Sequence, residues 1–132
     1  MFFIPRRQGI GVVELSGMIG TTIRPQVYAP ILDSLRRDPR FRAVVVDIDS
    51  PGGTVPGSDF LYHSLARVAE AKPVVAFVRG MGASGAYLLA CAASRIVALP
   101  MAMVGSIGVI YMRPILSDLL DKLGVSVSIY KG

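Results

Sequence analysis

Histidine, lysine and cysteine are scarce in this 132-residue chain, and each scarcity removes a class of chemistry. The single cysteine, Cys91, excludes an intrachain disulfide. It sits between Ala90 and Ala92 in an apolar stretch, where buried packing is expected rather than a reactive thiol. The single histidine, His63, lies in a helical pattern between Tyr62 and Ser64 and reads as a helix-surface residue. No zinc-type spacing and no phosphate-binding loop is present, so no metal and no cofactor is expected. Asp47 and Asp49 alternate with Ile48 and have no further ligand spaced nearby; loop and cap roles are expected of them. Long apolar runs are also missing. Met1–Ile4 is too short for a signal peptide and is followed at once by Pro5-Arg6-Arg7. The uncharged stretch Ile96–Met112 is interrupted by Pro100, Gly105 and Gly108, so neither a leader nor a membrane anchor is expected in these residues.

What is present is an apolar chain, 52% hydrophobic, of a length that suits one domain with a real core, residues 1–132. The net charge of +5 comes mostly from arginines at Arg6-Arg7 and between Arg36 and Arg42. No aromatic or glycine pattern accompanies them, so solvated faces are expected and no nucleic-acid partner. Weak attraction to an anionic membrane surface is compatible with that charge.

Apolar periodicity predicts alternating strands and helices. Ile10–Leu15 reads as a strand, and Val27, Ile31, Leu32 and Leu35 as one face of a helix ending before Pro39. Ala43–Ile48 reads as a nearly continuous apolar strand of the kind found in sheets covered on both faces. Asp49–Thr54 is a tight loop, and Ser58 a cap for a helix that points Leu61, Leu65 and Val68 inward. Val74–Val78 is the next strand, followed by a turn at Ser84 and a helix to about Ala93. Arg95–Leu99 and Ile107–Tyr111 read as strands. Ile115, Leu116, Leu119, Leu120 and Leu123 form a helical stripe ended by Gly124, and Val125–Tyr130 a last strand. The alternation predicts an α/β fold with a mostly parallel sheet and flanking helices.

Functional loops in such folds leave the carboxyl ends of the strands. Both glycine-rich loops, Ser50–Gly53 and Gly80–Gly85, leave that end and are expected to form one site. Ser84 sits among small residues at a strand-to-helix turn, where a substrate carbonyl can approach its hydroxyl. The first N–H groups of the following helix have no internal partner and can face a developing oxyanion. A side chain at Gly53 is expected to block the backbone approach that such a hole needs while leaving folding intact. A serine needs a base. Lys72 starts a strand at the end opposite the site, Lys122 lies near a helix end, and Lys131 is the penultimate residue.

Three stretches in order, Asp49-Ser50-Pro51-Gly52-Gly53, Gly82-Ala83-Ser84-Gly85-Ala86-Tyr87 and Gly105-Ser106-Ile107-Gly108-Val109-Ile110, closely resemble the SppA-type signal peptide peptidases. These are membrane-associated serine endopeptidases with a Ser–Lys dyad. The resemblance runs from about Ile10 to Gly132 and includes Asp121-Lys122-Leu123-Gly124-Val125. It implies a Clp protease/crotonase-like fold, Ser84 as nucleophile, and an oxyanion hole made by Gly52 or Gly53 with Gly85. It also implies that Ser106 orients the lysine. Implied too are peptide substrates such as leftover signal peptides, a homo-oligomeric ring or bowl, an extracytoplasmic membrane location, and no metal or nucleotide.

Three departures stand out: Gly85-Ala86 replaces the usual Gly-Gly, no N-terminal anchor is expected within these residues, and Lys131-Gly132 matches the start of a Lys-x-Gly segment. The catalytic lysine follows that segment in the family, so the general base is expected beyond Gly132 and the chain as it stands to be incompetent. A scaffold subunit of the same fold is one rival reading. A crotonase-like acyl-CoA enzyme is another; it needs a carboxylate at the site, and Glu70 is the only Asp or Glu between Asp59 and Asp118.

Overall fold

The computed structural model describes residues 8–110, 112, 115–126 and 128. Within them the chain runs β1 (Gly9–Ser16), α1 (Pro25–Arg37), β2 (Phe41–Ser50), α2 (Val55–Ala71), β3 (Val74–Ala83), α3 (Gly85–Ala90), β4 (Arg95–Ala98), β5 (Met103–Gly105) and α4 (Ser117–Lys122). Every strand pairing is parallel, in the order β1-β2-β3-β4, with β5 beside the last residues of β3.

Strand side chains alternate between two faces, and here the alternation separates a closed face from a half-open one. Val13 and Leu15, Val44, Val46 and Ile48, and Val74, Ala76 and Val78 are buried with Leu32, Leu61, Leu65, Val68 and Leu89 from the helices. Ile10 and Val12 are exposed on the opposite face, where Val45, Val75 and Phe77 are only half-buried. The near-continuous apolar run in β2 therefore marks a central strand, but among the described residues α1, α2 and α3 share one layer. On the half-open face Arg79 bridges Glu14 at 3.0 Å and Asp47 at 3.5 Å. The hydrogen bond to Glu14 and the charge of Asp47 hold the guanidinium more firmly in its charged form.

Several elements depart from the periodicity. In α1, Leu32 is buried and Leu35 partly buried, while Val27 and Ile31 face solvent. Pro25 at the start presets the helical φ, and α2 likewise carries a proline in its first turn. Helix α2 therefore starts at Val55, and Ser58 lies inside it rather than capping it. Helix α3 is a turn shorter than its apolar pattern, which leaves Cys91 at its C-cap and exposed, not buried. The strand expected at Ile107–Tyr111 lies earlier, at Met103–Gly105, because those residues pair with Met81–Ala83. Tyr111 is outside the described residues, as are 127, 129 and 130 of the expected last strand; residues 125, 126 and 128 form none.

Lys72, at the C-cap of α2, donates from Nζ to the carbonyls of Leu35 at 2.6 Å and Asp38 at 2.5 Å. It thereby satisfies carbonyls at the end of α1, where a cation also suits the helix dipole. Replacing Lys72 by Met should lower stability by about 1–3 kcal/mol, read from the urea midpoint. An unchanged midpoint would show that this clamp contributes nothing.

Candidate active site

Ser84 closes β3 and opens α3 with φ 52° and ψ −121°. A side chain disfavours this backbone, and a non-glycine residue held there stores about 1–3 kcal/mol of strain. The turn leaves Ser84 half-buried at the wall of a pocket. Its N–H donates to the carbonyl of Gly105 at 2.8 Å, and its Oγ lies 3.5 Å from the carbonyl of Gly108, long for a hydroxyl donor. The third glycine-rich stretch is thus brought onto the second.

The first stretch arrives from the other side. Gly52 has φ +93°, and its N–H donates to Ser50 Oγ at 3.1 Å. A Cβ on Gly52 would come 2.7 Å from the N of Gly85 and 3.0 Å from the Cβ of Ser84. The two turns therefore touch backbone to backbone. The N–H of Gly85 begins a helix and has no partner within it. Among the described residues the N–H of Gly53 likewise donates to no backbone carbonyl. The ideal Cβ position of Gly85 lies 3.7 Å from the N of Gly53. Two unengaged donors thus converge beside the serine, an arrangement suited to a developing oxyanion.

Glycine at 53 has a further reason that the sequence did not reveal. Ile19, in the loop after β1, donates to the carbonyl of Gly52 at 2.8 Å and accepts from Thr54 at 3.0 Å. A Cβ on Gly53 would overlap the Ile19 backbone. A bulky residue there would disturb the local fold as well as the approach of a substrate. Ser58 also carried no expectation at this site. It is buried on α2, donates to the carbonyl of Thr54 at 2.8 Å, and leaves no room for a side chain at Gly85.

Ser84 opens onto a pocket of about 240 Å³ lined by Gly53, Val55, Ser58, Gly85, Leu88, Ile107 and Val109, among others. A broader groove of about 620 Å³ continues past it between residues 51–55 and 106–110 and includes Ser106. Ser106 is exposed and, like Ser84, has a positive φ, 53°. The charged candidates lie elsewhere. With a rise of about 1.5 Å per residue along α2, His63 is roughly 12 Å and Glu70 about 22 Å beyond the pocket residue Val55. His63 pairs with Asp59 at 3.5 Å on an exposed surface. Lys72 follows Glu70, and Lys122 is in the last turn of α4. Lys131 lies outside the described residues. The described residues contain no group of three or more His, Cys, Asp or Glu that could hold a metal ion.

The model of Peptidase family S49 matches residues 66–132, which contain Ser84 and the 105–108 segment. The chain belongs to Peptidase family S49. It is 37% identical over 121 residues to the chloroplastic serine protease SPPA of Arabidopsis thaliana, a match covering 89% of this chain and 18% of that protein. It is 40% identical over 91 residues to Protease 4 of Salmonella typhi, covering 68% and 15% of the two chains. The S49 chain therefore spans under a fifth of the length of these two curated relatives. In three dimensions it is similar to the 1510-N membrane-bound stomatin-specific protease, with a TM-score of 0.59 at 17% identity, over 89% of this chain and 59% of that one. ClpP1 of Listeria monocytogenes matches at 0.54 and 20% identity, over 62% and 46%. The fold is thus of the Clp protease type.

Glycine tolerates the Ser84 backbone and alanine does not, so Ser84→Gly should be about 1 kcal/mol more stable than Ser84→Ala in chemical denaturation. Equal stability would show that the turn is unstrained.

Proposed function

We propose that this chain carries the nucleophile and oxyanion donors of a serine endopeptidase that degrades apolar peptide segments, leftover signal peptides among them. The observation that carries this is the placement of Ser84 between an apolar pocket and the N–H groups of Gly53 and Gly85. Ser84 Oγ attacks the scissile carbonyl carbon while its proton passes to a neutral lysine. The carbonyl oxygen becomes an oxyanion and accepts from Gly53 and Gly85; Gly52 donates instead to Ser50. Collapse expels the amine, which takes the proton back from the lysine, and water then releases the acyl group by the same steps in reverse order.

The base in this reading is a lysine outside the described residues, beyond Gly132, with Ser106 helping to orient it. A dyad lysine must be desolvated to act near neutral pH, which a surface lysine such as Lys122 is not. The pocket walls, Val55, Leu88, Ile107 and Val109, favour an apolar side chain on the acyl side of the cleaved bond. The family resemblance adds a ring or bowl assembly at an extracytoplasmic membrane face. The exposed Ile115, Leu119 and Leu123 in and beside α4 suit such an assembly. No helix among the described residues is long and apolar enough to cross a membrane.

The test is turnover of fluorogenic peptides by the longest natural form of the protein and by residues 1–132. The long form should cleave after Leu or Ala at least tenfold faster than after Asp or Lys, and Ser84→Ala should fall to background. Residues 1–132 alone should show only residual activity. Activity surviving Ser84→Ala would refute the nucleophile. Robust turnover by residues 1–132, lost in Lys131→Ala, would move the base to Lys131.

A further inference from the structure

We infer that Asp49 and Ser50 are a pair of positioning residues that set the nucleophile and the oxyanion donors in one frame. The inference rests on the peptidase reading above. The register of β2 with β3 slips at this dipeptide: Ile48 faces Val78, and Ser50 faces Gly82, so two steps on β2 match four on β3. The ladder cannot satisfy the longer strand there, and an unpaired N–H would be costly. Asp49 Oδ1 takes the place of the missing carbonyl and accepts from the N–H of Met81 at 3.0 Å. Gly80 makes room for it, since a Cβ there would come 2.7 Å from that oxygen. Beyond this bond β3 runs through Gly82 and Ala83 directly into Ser84.

Ser50 points to the other face, as the next residue of a strand must. It is buried, 1% exposed, and its Oγ accepts the N–H of Gly52 at 3.1 Å. That bond folds the chain around Pro51 into a hydroxyl-closed turn and holds Gly52 at its positive φ. It also consumes the Gly52 donor, leaving the next N–H, that of Gly53, to face Ser84. Adjacent side chains on opposite faces of one strand end therefore hold both halves of the site. Neither touches the reacting atoms. A slack Asp49 would let Ser84 drift, and a slack Ser50 would let Gly53 drift, each relative to the other.

The test compares near-isosteric pairs in the longest natural form. Ser50→Thr keeps the acceptor oxygen and Ser50→Val removes it; Asp49→Asn keeps Oδ1 and Asp49→Leu removes it. The turnover number is taken per active site, titrated to completion with a fluorophosphonate, so loss of folded protein does not enter. In each pair the variant without the acceptor should lose about 10- to 100-fold in kcat with KM changed less than about twofold, because a misplacement of about 1 Å costs that much. Where Ser50→Val does not fold, the Asp49 pair on the half-open face carries the comparison. Equal kcat within each pair, in a protein whose turnover depends on Ser84, overturns the inference alone. A parent protein with no Ser84-dependent turnover overturns the peptidase reading and this inference with it.

Discussion

Two chain turns approach so closely that their backbones touch, and this contact governs the molecule. Gly52 and Gly53 come from the end of β2, Ser84 and Gly85 from the end of β3. Side chains at positions 52, 53 and 85 would collide with Gly85, with Ile19 and with Ser58 respectively. The parallel sheet makes the approach possible by ending two neighbouring central strands at the same edge. The buried layer of α1, α2 and α3 holds those strands from one side, and β5 holds the outgoing end of β3.

Much of this was legible in the sequence because apolar runs and glycine punctuation report directly on strands and turns. β1, β2, α1 and α2 lie close to where periodicity puts them, and the three glycine-rich stretches do meet. Other features depend on partners that are distant in sequence. Arg79–Ala83 looks like a loop by composition, yet it is strand because β2 and β5 supply ladders on its two sides. Val27 and Ile31 belong to an apolar stripe, but only a narrower strip of α1 reaches the sheet. Cys91 falls just past a helix end that the run of alanines and leucines does not mark. Ile19 carries no chemistry and so drew no attention, yet its backbone pins Gly52 and Thr54. The roles of Asp49 and Ser50 follow from a register slip, which no residue pattern reports.

The division of labour in the site follows from this geometry. Strain and backbone donors are built from local structure and are complete within the described residues. In the proposed reading the base is not, and of the described lysines Lys72 clamps α1 while Lys122 sits at the end of α4. The proposed dyad draws on a further segment, and the chain spans under a fifth of the length of the two curated relatives compared above. In the proposed reading the apolar pocket selects the side chain beside the cleaved bond, and the N–H groups of Gly53 and Gly85 receive the developing charge.

The most direct measurement is a crystal structure of the longest natural form after reaction with a peptidyl fluorophosphonate. The account predicts phosphorus bonded to Ser84 Oγ, the phosphoryl oxygen about 2.7–3.1 Å from the N of both Gly53 and Gly85, and the apolar side chain against Leu88 and Val55. A label on another residue, or a phosphoryl oxygen turned to solvent away from those two N–H groups, would contradict it.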